Sequence, residues 1–426
     1  RAFAKPKFSG SCMIWGMGVS QHSNGTANAH GVINLALAAG MAGKPGSGIS
    51  PLRGQNNVQG CGDAGCIPDN LPGYQALTEA NRNKFAAAWG QITRKPAGLT
   101  VTAMVEAAGR GELKAMYVVG ENPFLDEANL GHARHALREL QFLVVQDIFM
   151  QETAHAAHVV LPATSFAEKE GTFTNSERRV QRVRTALRPI GQSRPDWAIT
   201  SEIARRVCSR LGLNASQFAY ESPAQIFDEM ASLTPIVAGI SHDRLDHEGG
   251  IQWPCPSADH PGTPNLYVDG FPRPNGRARL TPVHQGAAAV ELPDDEYPII
   301  LNTGRTLYHW HGGTITTRVS GLVDLVPVVE ASINPVDAET YGIRDRRPVE
   351  VTSRRGSIVC QARVTSEVTR GELFMPFVSL QGAAANFLTN NAYDPNGMPE
   401  YKVCAVRIAP AARPGPAPAP SAARAP

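Results

Sequence analysis

The strongest constraint on the fold is an alternation of short apolar runs with helix-like segments in the second quarter of the chain. Ala115–Val119, Phe142–Val145 and Val159–Leu161 have the composition of strands, and Asp126–Leu140 and Gln151–Ala157 between them fit helices. A β-α-β-α-β order predicts a parallel, doubly wound sheet, because a parallel connection must cross over the sheet. We therefore predict an α/β architecture for this part of the chain.

Polar residues follow each of the three predicted strands. Since the carboxyl ends of parallel strands meet at one edge of a sheet, where ligands bind, we expect these residues to lie together. Any one of them alone could instead cap a helix. Three polar ends on one edge favour a nucleotide, and Asp147 is best placed to accept hydrogen bonds from guanine N1 and the exocyclic amine. The residues are Gly120, Glu121, Asn122, Gln146, Asp147 and Thr164.

The run Pro51–Gly60 contains one arginine, four side-chain amides and two glycines, and almost nothing for a core. In a buried strand, four carboxamides would each need hydrogen-bond partners. The run therefore predicts a lining for a large, polar, anionic ligand, with Arg53 as an anion clamp and Gln55 beside it. The alternatives are an arginine that only braces a loop, and solvated turn residues at Gln55 and Asn56.

Length and composition allow several domains and exclude some classes of function. The 426 residues are 42% hydrophobic and carry a net charge of +2, which gives no long-range field for nucleic acid or an anionic membrane. The longest apolar run, near Val32–Ala42, is too short to span a bilayer. No signal peptide pattern opens the chain, and Arg1 stands first, so we expect a cytoplasmic fragment without its N-terminal half.

The seven cysteines are scattered, which favours free thiols in a reducing compartment. Cys61 and Cys66 are close in sequence, but no pair has the two-residue spacing of a zinc ribbon or of a cubane iron–sulfur motif. We therefore predict no metal ligand in this chain. The cysteines are Cys12, Cys61, Cys66, Cys208, Cys255, Cys360 and Cys404.

The segments before and after the predicted sheet have different sequence patterns. Cys12–Trp15 fits a strand, Gly16–Gly18 a tight turn, and Thr26–Met41 a helix, although the third glycine of a dinucleotide fingerprint is absent. Trp197–Leu213 has helical spacing, and a further helix begins at Ser222-Pro223, with a cap and an N1 proline. Residues 240–295 form an irregular connector rich in proline and glycine.

After residue 296 the pattern is typical of β structure. Several short strands with one helix, from Asn334 to Gly342, predict a closed β-barrel. The last 17 residues, Pro410–Pro426, predict a disordered tail. The predicted strands are Ile299–Asn302, Val349–Val351, Ile358–Cys360 and Leu373–Met375.

Arg53–Gly60 resembles the active-site motif of the catalytic subunit of molybdenum-dependent formate dehydrogenases, in the molybdopterin oxidoreductase superfamily. The resemblance extends in order over roughly residues 8–410. It departs from the usual pattern at Gly60–Asp63 and at His311–Thr314. The further motifs that carry it are Trp15–Gly18 with Gln21-His22, Gly43–Gly46, Gly120–Pro123, Gln146–Phe149, Leu161–Ala163, Glu168–Asn175 with Arg178, Pro274–Arg277, Thr303–Arg305, His309–His311, Asn386 and Glu400–Lys402.

The resemblance implies five parts of the chain. They are 1–55, the end of an α/β molybdopterin-binding domain; 56–165, a second, Rossmann-like domain that binds a molybdopterin guanine dinucleotide; 166–295, a helical and irregular connecting region; 296–409, a C-terminal β-barrel that binds the second dinucleotide; and 410–426, the tail.

The cofactor implied is molybdenum held by two molybdopterin guanine dinucleotides. The family's 4Fe–4S cluster and its cysteine or selenocysteine ligand to molybdenum would belong to the missing N-terminal part. The resemblance makes Arg53 and Gln55 the candidate catalytic residues. Asn175 and Arg178 fit a structural network equally well, and His309 and His311 favour hydrogen bonds to a pterin or phosphate over metal ligation, since no third ligand is evident. The candidate cofactor-binding residues are Gly16, Met17, Gly18, Gln21, Gly120, Glu121, Asn122, Gln146, Asp147, Thr164, Asn175, Thr303, Arg305, His309, His311, Asn386, Tyr401 and Lys402.

The function implied is oxidation of formate to carbon dioxide, with two electrons passed through the pterin cofactor to electron-transfer subunits that are iron–sulfur or flavin- and NAD-linked. Two alternatives stay open. One is a nitrate reductase or another molybdopterin oxidoreductase, and the other is a non-catalytic electron-transfer or scaffold subunit with the same fold. The intact Arg53-Gly54-Gln55 argues against the scaffold role.

Overall fold

The computed structural model describes residues 10–90, 97–284 and 286–412. Most of the tail that the sequence predicts to be disordered, residues 413–426, therefore lies outside the described residues. Pro410, which was assigned to that tail, is the last residue of a strand. Among the described residues, no helix is both long enough and apolar enough to cross a membrane.

The first part of the chain places Arg53–Gly60, the arginine motif, at the edge of a parallel strand pair. β1 (Cys12–Trp15) and β2 (Gly48–Pro51) pair in parallel with Trp15 opposite Pro51, so Arg53 lies two residues after the carboxyl end of β2. The tight turn predicted at Gly16–Gly18 is the start of a short helix. The elements are β1 (Cys12–Trp15), α1 (Met17–Ser20), α2 (Gly25–Ala38), β2 (Gly48–Pro51), α3 (Val58–Asp63), β3 (Asn70–Leu71), β4 (Gln75–Ala76), α4 (Glu79–Trp89) and α5 (Val101–Gly109).

The second part contains the predicted parallel sheet, with strand order β5-β6-β7. Buried Leu137, Leu143 and Val145 belong to the core beneath it. The helix expected over Asp126–Leu140 is confirmed only from Leu130 to Arg138, because Asn129 adopts a left-handed φ of 46° and separates this helix from a short one that ends at Asp126. The elements are β5 (Ala115–Val119), α6 (Pro123–Asp126), α7 (Leu130–Arg138), β6 (Phe142–Asp147), α8 (Glu152–His155) and β7 (Val159–Pro162).

The third part contains both predicted helices and a small antiparallel sheet that the sequence did not predict. The sheet has the order β10-β9-β8, and Ile251 pairs with Val180. The connector expected to be irregular from residue 240 therefore contains a helix and a two-residue strand, too short for periodicity to reveal. The elements are β8 (Gly171–Thr174), β9 (Arg179–Val183), α9 (Asp196–Arg210), α10 (Pro223–Leu233), α11 (His242–Glu248) and β10 (Ile251–Gln252).

The fourth part is the closed β-barrel that the sequence predicts, with strand order β11-β15-β12-β14-β13-β16. Alternate residues of β11 and β13 point into a core that includes Leu301, Val351 and Leu373. β12 and β16 were not predicted. The elements are β11 (Ile299–Gly304), α12 (Ser320–Leu325), β12 (Glu330–Ile333), α13 (Pro335–Thr340), β13 (Pro348–Ser353), β14 (Gly356–Val364), β15 (Glu372–Pro376) and β16 (Val403–Pro410).

Two buried carboxylates attach the barrel to the first part of the chain. Glu400, which is 0% exposed, accepts hydrogen bonds from the Ser23 backbone nitrogen at 3.1 Å and hydroxyl at 2.8 Å. Asp394 accepts from the backbone nitrogen of Thr26 at 2.9 Å. Negative charge at the beginning of α2 is favourable, because the first turn of a helix leaves its N–H groups unpaired. These contacts fix the barrel beside α1 and α2.

Candidate functional site

A cavity of about 640 Å³ lies where the parallel sheet, the barrel and the arginine motif meet. This volume is typical of a site for a small organic molecule or cofactor. Residues from all four parts of the chain form its walls. Among them are the predicted residues Gln21, Gln55, Gly120, Glu121, Asn122, Gln146, Asp147, Thr164, Arg305, His311, Asn386 and Tyr401.

The edge of the parallel sheet forms one wall. The register places Val119 opposite Gln146, and Asp147 opposite Pro162, so the polar segments after the strands converge. The Asp147 carboxylate is held in place by the Phe149 backbone nitrogen at 3.1 Å and by the Gln151 side chain at 3.2 Å. Each carboxylate oxygen can accept a further hydrogen bond. Asp147 is therefore a fixed acceptor at the cavity wall.

Asn122 and Gln146 are also in the wall, but protein partners occupy their side chains. Asn122 donates to Glu152 at 2.7 Å and accepts from the Thr153 hydroxyl at 2.8 Å. Gln146 is 0% exposed and donates to Asp196 at 2.7 Å. The side chains of Asn122 and Gln146 therefore stabilise the part of the wall that also contains Glu121 and Asp147.

The break between α6 and α7 turns two carboxyl groups towards the cavity. Burial, followed by the nearby charge of Glu121, raises the pKa of Asp126 to about 7. Burial, followed by the charge of Asp126, raises the pKa of Glu127 to about 7. A Cβ added to Gly312 would lie 2.1 Å from Asp126 Oδ1, so only glycine allows this close approach. Neither acid was predicted as a site residue, because both lie in the segment Asp126–Leu140, whose composition fits a helix.

These raised pKa values predict an unusual dependence of stability on pH for the cofactor-free protein. The folded state keeps protons that the unfolded chain, with ordinary values of 3.8 and 4.5, releases. The free energy of unfolding should therefore fall by several kcal/mol as the pH rises from about 4 through 7. Urea midpoints at pH 5 and pH 8 would measure it. The double variant Asp126→Asn/Glu127→Gln should lose most of this difference, and an unchanged difference would contradict the assignment.

Gln55 and the barrel meet at His311. The Nε2 atom of His311 lies 2.7 Å from Gln55 Nε2 and 2.9 Å from an Arg305 terminal nitrogen. A guanidinium only donates, so His311 accepts through Nε2 and carries its proton on Nδ1. Burial, followed by the charges of Arg305 and Lys402, lowers the pKa of His311 to about 4, which keeps the ring neutral. A neutral imidazole thus joins the arginine motif to the barrel.

Two cations lie close to this junction. The Arg305 guanidinium lies 4.8 Å from the centre of the Trp310 ring. Lys402 does not line the cavity, and its Nζ lies 4.2 Å from the centre of the Phe377 ring. Burial, followed by the charge of Arg305, lowers the pKa of Lys402 to about 8. Positive charge on the barrel side therefore faces carboxylates on the sheet side.

The structure places several predicted cofactor-binding residues behind the wall. Thr303 donates to the Tyr401 carbonyl at 2.5 Å and positions that residue. His309 is 4% exposed, and its ring nitrogens lie 3.2 Å from the Thr316 hydroxyl and 3.0 Å from the Val326 carbonyl. Asn175 accepts from backbone nitrogens in its own turn. Gly16, Met17 and Gly18 precede Gln21 but do not line the cavity.

Arg53 lies two residues from Gln55 but outside the cavity wall, and its side chain is exposed. Its Nε donates to Gln59 at 3.0 Å. Among the described residues, the two terminal nitrogens of Arg53 have no hydrogen-bond partner. No carboxylate neutralises them directly, so the guanidinium is available to an anion.

Two buried polar atoms in the cavity wall lack partners among the described residues: Thr164 Oγ1 and Asn386 Oδ1. Thr164 is 1% exposed and Asn386 is 5% exposed. Leaving such an atom unpaired costs about 1–3 kcal/mol, which a polar ligand in the cavity would offset. With the Asp147 acceptor and the cations of the barrel side, they fit a molybdopterin guanine dinucleotide, which offers guanine donors, phosphates and many polar atoms.

About half of the lining residues were not predicted as catalytic or cofactor-binding residues. Several of these residues, including Ile148, Phe149, Ala163 and Trp310, belong to the motifs that carry the resemblance, and that membership was the available signal. Within the described ranges, no group of three or more histidine, cysteine, aspartate or glutamate side chains could hold a metal ion. The lining residues not among the predicted sites are Asp126, Glu127, Ile148, Phe149, Ala163, Ser165, Phe166, Lys169, Asp196, Trp310, Gly312, Thr314, Ile315 and Phe377.

Curated relatives share much of the chain's sequence. The F420-dependent formate dehydrogenase 1 subunit alpha of Methanococcus maripaludis is 41% identical over 93% of this chain and 57% of its own length. Formate dehydrogenase H of Escherichia coli is 38% identical over 97% of this chain and 57% of its own length. The chain thus spans little more than half the length of these relatives.

One solved structure and two protein-family models also match the chain. Acetylene hydratase from Pelobacter acetylenicus superposes with a TM-score of 0.57 over 79% of this chain and 50% of that protein, at 16% identity, which supports the fold alone. Residues 9–206 match the family Molybdopterin oxidoreductase, and residues 299–405 match the Molydopterin dinucleotide binding domain. The chain therefore belongs to the molybdopterin oxidoreductase family.

Proposed function

We propose that the protein containing this chain oxidises formate to carbon dioxide at molybdenum held by two pyranopterin guanine dinucleotides. The observation that carries the proposal is the exposed Arg53 guanidinium, whose terminal nitrogens are free among the described residues, next to Gln55 in the cavity wall. The relatives named as formate dehydrogenases, at 38% and 41% identity, support the same substrate.

Different residues in and behind the cavity wall would bind different parts of the cofactor. Asp147 would accept hydrogen bonds from a guanine edge, and Thr164 and Asn386 would bind polar atoms of the dinucleotide. Arg305, with Lys402 behind it, would balance phosphate charge. The chemistry that the molybdenum pterin group would supply when bound is the uptake of two electrons.

Arg53 and Gln55 would act on the substrate. A guanidinium binds a carboxylate through two parallel hydrogen bonds and so fixes its plane, which aims the formate C–H bond. Carbon dioxide carries no charge, so the same arginine binds the product weakly and favours its release. Gln55, fixed by His311 at 2.7 Å, would offer a second hydrogen-bonding group beside the anion.

We further propose the partners of this reaction. The two electrons require a route out, and we infer a 4Fe–4S cluster elsewhere in the protein and electron-transfer subunits that are iron–sulfur or flavin- and NAD-linked. The free cysteines of the described chain are consistent with a reducing, cytoplasmic compartment.

The full-length protein tests the proposal directly. We expect about one molybdenum per chain by elemental analysis, and reduction of an artificial electron acceptor with formate but no consumption of nitrate by the reduced enzyme. Nitrate reduction without formate oxidation would replace formate by nitrate as the substrate. A protein free of molybdenum after expression with molybdate would support a scaffold role instead. Apo-protein reconstituted with purified cofactor would serve as the control for incomplete loading.

A further inference from the structure

A buried chain of hydrogen bonds runs from Arg53 into the protein beneath the arginine motif. Gln59, 7% exposed, accepts from Arg53 Nε at 3.0 Å through Oε1. Its Nε2 donates to Asp63 Oδ1 at 2.8 Å and to the Tyr74 hydroxyl at 2.8 Å. Asp63, 4% exposed, accepts from Trp253 Nε1 at 2.8 Å through its second oxygen, Oδ2. The five side chains form one continuous network.

The network determines which end of the Gln59 amide faces Arg53. Both hydrogens of its NH₂ group are directed at acceptors, so the carbonyl oxygen is the atom left for the arginine. Helix α3 places Gln59 and Asp63 four residues apart, on the same face. Ionised Asp63 only accepts, so it can satisfy Gln59 and Trp253 together.

Close packing keeps the network in place. A Cβ added to Gly62 would lie 2.8 Å from the Tyr74 hydroxyl, so the tyrosine packs directly against α3. Burial raises the pKa of Tyr74 to about 12, which keeps its hydroxyl protonated. Burial also raises the pKa of Asp63, while hydrogen bonds from Gln59 and Trp253 oppose the shift.

We infer that Asp63 is a positioning residue for the reaction. Through Gln59 it holds Nε of Arg53 towards the protein, so that the two terminal nitrogens of the guanidinium are directed outwards at the substrate anion. The inference rests on the proposed function, in which Arg53 binds formate. Asp63 itself does not touch the substrate.

Asp63→Asn tests the direction of the network with almost no change in shape. The new side chain has one acceptor oxygen for two donors, so either Trp253 or Gln59 faces an N–H group. If Gln59 turns its amide in response, it presents NH₂ to the N–H of Arg53, and the arginine is released. Asp69→Asn, at an exposed carboxylate of the following loop, is the matched control.

A second substitution should repair the network. In the double variant Gln59→Glu/Asp63→Asn, the carboxylate and the amide exchange places and the total charge is unchanged. Each donor again faces an acceptor: Trp253 the amide oxygen at position 63, the amide nitrogen a carboxylate oxygen at position 59, and Arg53 the other carboxylate oxygen. A role in positioning predicts rescue, whereas a merely structural role for the Asp63 charge does not.

The first measurement is formate kinetics of the full-length, cofactor-loaded enzyme. We expect Asp63→Asn to lower kcat/KM about 10-fold, mainly through KM, since Arg53 stays present but is misdirected. The double variant should recover to within about 3-fold of the wild type, and the control should match it. Wild-type kinetics for Asp63→Asn, or no recovery in the double variant, would overturn the inference.

The second measurement needs no substrate. Phenylglyoxal modifies arginine, and peptide mass spectrometry gives the rate at Arg53 alone. We expect the rate to rise about threefold or more in Asp63→Asn, and to return in the double variant, because release of Nε frees the guanidinium. An unchanged rate would overturn the inference. If wild-type enzyme does not oxidise formate, the proposed function fails, and this measurement alone decides the role of Asp63.

If the Asp63→Asn variant does not fold, Tyr74→Phe provides a second test of the inference. It removes one acceptor of the Gln59 amide and leaves the Asp63 carboxylate in place. We expect the formate KM and the Arg53 modification rate each to rise about twofold to threefold, the effect of one neutral hydrogen bond. No change in either quantity would overturn the inference.

Discussion

Arg53→Lys in the full-length enzyme should keep its molybdenum but lose formate oxidation by ~100-fold or more. An ammonium is a point charge and cannot hold a carboxylate plane through two parallel hydrogen bonds. It also lacks the Nε–H that Gln59 accepts at 3.0 Å, so its position is no longer fixed. Formate turnover and elemental analysis on the same preparation would measure both parts of the prediction.

The matched control is Arg110→Lys. Arg110 makes a two-point contact with Glu112, at 3.0 Å and 2.7 Å, on an exposed surface, and we assign it no part in the site. That variant should keep wild-type turnover. Near-normal formate oxidation by Arg53→Lys would refute both the role of Arg53 and the choice of formate as substrate.

Asp147→Ala should weaken binding of the dinucleotide by about 100-fold or more, because two charge-assisted hydrogen bonds to guanine are lost together. The expected result is a protein with low molybdenum and low guanine content after denaturation and chromatography. Asp147 also holds its own loop through Phe149 and Gln151, so a thermal melt must accompany the measurement.

Asp69 is an exposed acid that does not line the cavity, so Asp69→Ala serves as the control and should load normally. Should Asp147→Ala keep full cofactor occupancy and lose only turnover, Asp147 does not bind guanine. Asp147→Asn adds a finer comparison, since its amide nitrogen would face a guanine donor and should also reduce occupancy.

Sequence reasoning located the sheet edge well for a physical reason. Strand, loop and helix alternate locally, and parallel pairing brings the residues after Val119 and Asp147 to one edge without further information. The same logic predicted the barrel, because several short strands after residue 296 need closure to remove their edges. The assignments of individual residues within the site stay predictions.

What the sequence did not reveal depends on contacts between distant residues. The left-handed conformation of Asn129 divides a segment of helical composition and turns Asp126 and Glu127 inwards. No local pattern announces it, since Asn129 is held by the Thr389 carbonyl, at 3.1 Å from its backbone nitrogen. Likewise, the sequence does not distinguish His309, which is buried behind the wall, from His311, which lines the cavity, because both flank Trp310.

The barrel is closed by β16, which pairs with β11 on one side and with β13 on the other. Arg305 follows β11 directly, and Tyr401 lies two residues before β16, so both take their places only after this last strand has been synthesised and paired. The cavity therefore cannot form until the chain has been synthesised through β16 and this strand has paired. We therefore expect the cofactor to be inserted only into a chain whose β-barrel has already folded.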